Sequence, residues 1–186
     1  IACGYAMGLS GDEIKDGLEN VNGVAGRFEL VDEGQDFTVV VDYAHTPDGM
    51  ENVLKTAHEL TEGKTIIVFG CGGDRDKGKR PEMGRIAAEY GDLVILTSDN
   101  PRSEDPLAII KDIEKGMENS ETLYEIFPDR REAIFYAIEK AAPGDMVLLF
   151  GKGHETYQIF RDKIIPFDDR QVAREALEDR IKGGLK

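Results

Sequence analysis

Residues 93–102 read Leu-Val-Ile-Leu-Thr-Ser-Asp-Asn-Pro-Arg, a short apolar run that stops abruptly in a polar turn. The run at 93–96 predicts a strand with both faces covered, because no polar residue alternates through it. Helical spacing flanks it on both sides. Upstream, Met83, Ile86, Ala87 and Tyr90 recur at i, i+3, i+4 and i+7. Downstream, Asp105-Pro106 is a start signal and Ile109, Ile110, Ile113 and Met117 form a stripe. The same unit recurs outward along the chain. Strand-like runs at 38–41, 65–69, 123–127 and 146–150 alternate with one helix face of Met50, Val53, Leu54 and Ala57 and another of Ala133, Ile134, Ala137, Ile138 and Ala141. Asp129 and Glu132 stand at capping-box distance before the latter. This alternation predicts an α/β fold, a mostly parallel sheet of about six strands with helices on both faces. Residues 157–160 and 164–167 flank Arg161-Asp162-Lys163 and predict a hairpin, and Asp168 caps a last helix carrying Val172, Ala173, Ala176, Leu177 and Ile181.

The first residues follow a different pattern. Residues 1–9 read as the end of an apolar helix, and Ser10-Gly11-Asp12-Glu13 has the capping-box spacing for a short helix with Ile14 and Leu18. Residues 24–31 predict a strand entering from a preceding domain, and Gly34-Gln35-Asp36 breaks the pattern. The expected organisation is residues 1–34 as the carboxyl-terminal tail of an upstream domain and 35–186 as a domain of its own, within a longer polypeptide.

Composition limits the function. The 186 residues suffice for one substantial domain, and 40% hydrophobic with 32% charged residues is a globular balance. A formal charge of -14 argues against nucleic acid as a partner, since phosphate backbones are repelled over most of such a surface. No apolar run reaches membrane-spanning length. A small-molecule substrate is expected from the negative charge, and the two cysteines, Cys3 and Cys71, lack zinc or disulfide spacing, which fits a reducing cytoplasm.

Ligands of open α/β sheets bind beyond the carboxyl ends of the strands, and the unusual residues lie there. They form four loops: Asp42-Tyr43-Ala44-His45-Thr46-Pro47, the glycine-rich stretch from Gly70 to Pro81, Asp99-Asn100-Pro101-Arg102, and Gly151-Lys152-Gly153-His154-Glu155. The opposite loops, such as Glu62-Gly63-Lys64 and Pro143-Gly144-Asp145, carry only turn chemistry. In the third loop the Asp99 carboxylate, the Asn100 amide and the planar Arg102 fork suit a zwitterion such as a free amino acid. The same residues also read as an ordinary turn with a solvated arginine. Arg75 is either a second clamp for a carboxylate or an ion pair with Asp74 or Asp76 that ties its loop. His45 reads as a nucleotide contact, a proton carrier or a structural residue, and Cys71 as a nucleophile or a small residue in a tight loop. Gly73 to Lys79 has the spacing of a phosphate-binding loop, but Arg80 stands where the Ser or Thr belongs and Asp74 and Asp76 would repel phosphates, so that reading is rejected.

Together the four loops resemble the Mur ligase family, the ATP-dependent amide-forming enzymes of bacterial cell-wall synthesis, and most of all its branch that adds the third residue of the peptide stem. The resemblance covers nearly the whole chain. It implies three domains: one for the UDP end, a central ATPase domain with a true phosphate-binding loop, and a carboxyl-terminal Rossmann-like three-layer domain. This chain is similar to the last of these, continuous with the other two. Residue by residue, the resemblance implies that Arg75, Asp99, Asn100, Pro101, Arg102, Gly151 and Glu155 bind meso-diaminopimelate, with Glu155 at the ammonium of the non-reacting end. It implies that Asp42 meets the ribose of ATP, that Arg27 approaches its phosphates, and that His45 lies near the nucleotide. ATP is the implied co-substrate and UDP-MurNAc-dipeptide the acceptor, with Mg2+ held by the central domain. No catalytic residue or metal ligand is expected in this chain, which alone is expected to be inactive. Lysine-adding relatives typically lack the arginine at the position of Arg102. Alternatives are a related ligase for another amino acid, lysine-adding or of the cyanophycin or folylpolyglutamate type, and a non-catalytic amino-acid-binding module.

Overall fold

Period-two alternation sorts the strand side chains onto two faces, and each face has its own helices. The computed structural model describes residues 1–21 and 23–184. In chain order its elements are α1 (Ala2–Ala6), α2 (Gly11–Glu19), β1 (Glu29–Leu30), β2 (Thr38–Asp42), α3 (Pro47–Leu60), β3 (Thr65–Phe69), α4 (Lys79–Tyr90) and β4 (Leu93–Thr97). There follow α5 (Pro106–Glu114), β5 (Leu123–Phe127), α6 (Arg130–Lys140), β6 (Met146–Phe150), β7 (Tyr157–Ile159), β8 (Ile164–Pro166) and α7 (Asp169–Gly184). Ile67, Phe69, Leu96, Leu148 and Phe150 pack with α3, α4 and α5. Their neighbours Ile66, Val68, Ile95, Val147 and Leu149 pack with α6 and α7 on the other face. A three-layer α/β arrangement follows, as the alternation of strand and helix signals predicts.

The six-stranded sheet has the order β1-β2-β6-β3-β4-β5. All neighbouring pairs are parallel except β1 with β2. β6 enters late and inserts between β2 and β3, so the strands carrying the four polar loops are contiguous, β2-β6-β3-β4. That insertion sets the loop after β6 between those after β2 and β3. The β7–β8 hairpin forms a separate two-stranded sheet. β5 closes the far edge and is exposed along most of its length, with Leu123 72% exposed.

The local signals hold in detail. Ser10 and Glu13 form a reciprocal capping box, Asp105 and Asp129 cap α5 and α6, and Asp168 accepts from the Arg170 N–H at the start of α7. The strand expected over 24–31 is reduced to β1 and a Val24–Arg27 bridge. Gly26 at φ 68° and Phe28 at φ 44° turn the backbone out of the extended region between them. β1 pairs with β2 and Val31 is buried in the core, so the sheet begins before residues 34 and 35, where the domain boundary is expected. Met117 is buried although α5 stops short of it, and Ile181 on α7 is exposed. No helix among the described residues is long and apolar enough to cross a membrane.

Candidate functional site

The four loops enclose a crevice of about 510 Å³ at the carboxyl ends of the strands. His45, Arg75, Asp99, Asn100, Arg102, Gly151 and Glu155 line it. The amino-acid residues expected from sequence are thereby brought together, except Pro101, which is buried behind its loop.

Each wall is fixed by tertiary contacts. The β7–β8 hairpin clamps the loop after β4: buried Gln158 donates to the carbonyls of Ser98 (3.2 Å) and Asp99 (2.8 Å), and the Arg102 N–H donates to the Ile159 carbonyl at 3.0 Å. These bonds hold Arg102 at φ 52°, a left-handed conformation that costs a non-glycine residue about 1–2 kcal/mol. The glycine-rich loop packs against the same segment so closely that a Cβ on Gly70 would stand 2.1 Å from the Thr97 carbonyl oxygen, and one on Gly73 would stand 1.9 Å from that of Pro101. Buried Arg80 locks this seam, donating to Glu104 Oε1 at 2.8 Å and to Asp112 Oδ2 at 3.0 Å. The Arg80 guanidinium beside Glu104 holds that carboxyl down at about 2.

Two guanidinium groups face the crevice. The Asp74 carboxylate is engaged by Ser103 and that of Asp76 by the Gly78 N–H, so neither takes up Arg75. Arg75 donates only to the Asp74 carbonyl among the described residues, at 3.0 Å, and its remaining donors are open to a ligand. Arg102 donates through Nη1 to the Gly73 carbonyl at 2.8 Å, while its Nε and Nη2 have no acceptor among the described residues. A carboxylate can occupy such donors in a bidentate pair.

The opposite wall is acidic. Asp99 is buried, its Oδ1 has no hydrogen-bond partner, and burial pushes its carboxyl up against the opposing pull of Arg130 and Lys152. Glu155 Oε2 accepts from Asn100 Nδ2 at 2.9 Å and from Lys152 Nζ at 3.2 Å. Beneath them, Arg130 pairs with Asp169 and donates to the Phe150 carbonyl at 2.8 Å, tying the end of β6 to α6 and α7. The two cations Arg130 and Lys152 face the three carboxyl groups of Asp99, Asp169 and Glu155, which leaves one carboxyl group in excess beneath the crevice. An ammonium group of a ligand would satisfy it.

Asn100 lines the crevice and also orients the acidic wall. Its side-chain oxygen accepts from the Ile159 N–H at 2.9 Å and its amide nitrogen donates one N–H to Glu155, which leaves the second N–H for a ligand. Asp42 lies outside the crevice: one carboxylate oxygen accepts from the Phe28 N–H and the other from the Ala44 N–H, both at 2.7 Å. Arg27 is exposed on a neighbouring groove with its guanidinium 4.7 Å from the centre of the Tyr43 ring. His45 donates from Nδ1 to the Tyr43 carbonyl at 2.9 Å and packs edge-on against the Tyr43 ring. Cys71 is a small buried residue against Met83, its thiol pushed up to about 12 by burial, which removes the nucleophile reading. Sequence reasoning gave no part to Lys152, Gln158, Arg130 and Asp169, and only the two glycines flanking Lys152 hinted at a close approach.

The segment entering the sheet is keyed to two of these loops. A Cβ on Gly26 would stand 2.1 Å from the His154 backbone nitrogen, and the Gly26 carbonyl accepts from the Tyr43 N–H at 2.8 Å.

Residues 26–153 match the family model described as Mur ligase, glutamate ligase domain. A curated protein of Syntrophomonas wolfei subsp. wolfei, named UDP-N-acetylmuramoyl-L-alanyl-D-glutamate--2,6-diaminopimelate ligase, is 57% identical over 176 residues, covering 94% of this chain and 36% of that protein. One of the same name from Geobacillus thermodenitrificans is 55% identical over 179 residues, covering 96% of this chain and 36% of its own length. A solved structure of an enzyme with that name superposes with a TM-score of 0.80 at 40% identity, covering 96% of this chain and 37% of the other. The chain thus spans about a third of the length of the relatives it matches.

Proposed function

The chain belongs to the Mur ligase family, and from that premise we propose that it is the carboxyl-terminal, amino-acid-binding domain of an ATP-dependent ligase that adds meso-diaminopimelate to UDP-MurNAc-L-Ala-D-Glu in peptidoglycan synthesis. The observation that carries the substrate assignment is the pairing of two open guanidinium groups with a buried carboxyl oxygen, Asp99 Oδ1, that has no hydrogen-bond partner among the described residues, in one crevice. Arg75 and Arg102 take the carboxylate at the non-reacting end of diaminopimelate, and Asp99 and Glu155 take the ammonium beside it. Asn100, Pro101 and Gly151 shape that end of the crevice. The relatives at 55–57% identity favour this substrate over a lysine-adding or polyglutamate-forming alternative.

ATP, bound chiefly by the upstream part of the longer protein, supplies the phosphoryl group that activates the D-glutamyl carboxylate. The residues of this chain hold the amine near the acyl phosphate, and such positioning contributes effective molarity rather than bond chemistry. The free amine adds to the acyl carbon and phosphate leaves. Arg27 is assigned to the ATP phosphates, Asp42 to the ribose and His45 to the neighbourhood of the nucleotide, with Asp42 also bracing the Phe28 and Ala44 backbone. Among the described residues no three His, Cys, Asp or Glu side chains gather to hold a metal ion. Mg2+ is assigned to the upstream domain on the family resemblance, and no step here runs through it. The sheet takes in β1, and the boundary between this domain and the central one falls upstream of Gly26. The substrates are those of a cytoplasmic enzyme.

The test is a steady-state assay of the full-length ligase with ATP, UDP-MurNAc-dipeptide and either diaminopimelate or lysine. Diaminopimelate is expected to be the preferred amine by at least a hundredfold in kcat/KM, and a preference for lysine overturns the assignment.

A further inference from the structure

Lys152 is completely buried, yet it stands among the acidic groups of the crevice. Its Nζ lies 3.2 Å from Glu155 Oε2, 3.4 Å from Asn100 Oδ1 and 4.0 Å from Asp99 Oδ1, with the Tyr157 ring 5.7 Å away. No open face of the ammonium remains, so Lys152 does not itself meet a ligand. Its neighbours come from the loop after β4, from its own loop and from β7, and two of them are the carboxylates assigned above to the substrate ammonium. Two carboxylates that share a buried site without a cation between them do not both ionise at neutral pH.

We propose that Lys152 is a positioning residue that holds Asp99 and Glu155 as a charged pair, so that the crevice takes up the amino group of the diamino acid as an ammonium ion. This rests on the reading of the crevice as the diaminopimelate site. By engaging Oε2 of Glu155, Lys152 and Asn100 leave Oε1 for the ligand, and by standing near Asp99 Oδ1 it steadies a carboxylate that has no hydrogen bond at that oxygen. The other charged groups facing Asp99 are Arg130 from α6, which also acts on Glu155, and Asp169 from α7, and the remaining charged or titratable side chains lining the crevice are His45, Arg75, Asp76, Lys79 and Arg102. Among the described residues only Lys152 comes within 4.0 Å of both carboxylates as an ion pair. Remove Lys152, and the pair is expected to take up a proton as pH falls, losing its hold on an ammonium.

The experiment compares the full-length wild-type ligase with Lys152→Met, Lys152→Gln and Lys152→Arg. Lys152→Met and Lys152→Gln are expected to raise KM for diaminopimelate about tenfold at neutral pH and to make it climb further from about pH 8 to about pH 6, by up to about tenfold per unit. KM for ATP should stay within about twofold, and Lys152→Arg, which keeps the charge, should retain a pH profile parallel to wild type. A merely structural lysine would lower the melting temperature and kcat without tilting that profile. If either neutral variant folds and its KM tracks wild type across this range, the proposal is overturned. Should neither fold, the affinity for diaminopimelate is measured by calorimetry on the full-length enzyme with His45→Gln, so that no crevice imidazole titrates. It is then expected to change by less than about twofold between those pH values, and a tenfold weakening toward pH 6 overturns the proposal. A wild-type ligase that does not use diaminopimelate removes the substrate reading and this proposal with it. One that does, with pH-indifferent neutral variants, removes this proposal alone.

Discussion

Arg130 and Asp169 meet in a two-pronged pair with both side chains fully buried, Nε to Oδ1 at 2.8 Å and Nη2 to Oδ2 at 2.6 Å. The same guanidinium reaches the Phe150 carbonyl at the end of β6, so the floor of the crevice is tied to two helices behind the sheet. Arg130→Met leaves the Asp169 carboxylate buried without a counter-ion. It is expected to cost about 3–5 kcal/mol in denaturant unfolding, and Arg130→Met with Asp169→Leu should recover part of that loss. A single variant within about 0.5 kcal/mol of wild type would contradict the account.

Asp99 trades stability for binding. Because burial raises its carboxyl, the folded chain holds that proton more tightly than the unfolded chain, and the associated stability is present at acid pH and lost as pH rises through the folded value. Asp99→Asn is therefore expected to melt a few degrees higher than wild type at neutral pH, with the gap closing toward acid. Its affinity for diaminopimelate should fall about tenfold or more, read by calorimetry.

Arg102 is the selective residue. Lysine has no second carboxylate, and binding it would leave the open Nε and Nη2 of Arg102 desolvated and unpaired, a penalty of about 1–3 kcal/mol. Arg102→Ala in the full-length ligase should narrow the kcat/KM ratio of diaminopimelate to lysine by about tenfold or more. An unchanged ratio removes the assignment.

Glu104 gives the acid limb of stability. Its carboxyl is held at about 2 by Arg80, so its contribution is complete above the ordinary carboxylate range and is lost as pH falls from there toward about 2. Thermal melts of wild type should decline over that interval. Glu104→Gln should be less stable at neutral pH and flatter below it, and an equally steep decline in the variant would count against the Arg80 pair.

The strands, the hairpin and the helix starts were legible because each is written locally, in alternation, in i to i+4 spacing, or in a capping residue. The order of the strands was not, since nothing in residues 146–150 says that they insert between β2 and β3. The crevice was legible as a set of loops, because polar and glycine-rich residues gathered at one end of each strand. Which side chains face the ligand was not. Asn100 has a second duty that its motif does not show, since Ile159 and Glu155, 59 and 55 residues away, engage its amide. Arg130 begins a helix and reads as a solvated charge, because its partner lies 39 residues downstream. Lys152 sits inside a conspicuous motif, but only the fold can bury it against a residue 52 positions earlier.

The absence of a side chain at Gly26 has a mechanical meaning. With its backbone pressed on Gly153 and His154 and bonded to Tyr43, the stretch from Gly26 into β1 has no room to slide over the crevice rim. A swing of whatever precedes residue 24 would have to pivot ahead of that contact, leaving the loops after β2 and β6 in place. A cut at residue 35 would accordingly remove β1 and the segment that presses on the loop after β6, not a linker.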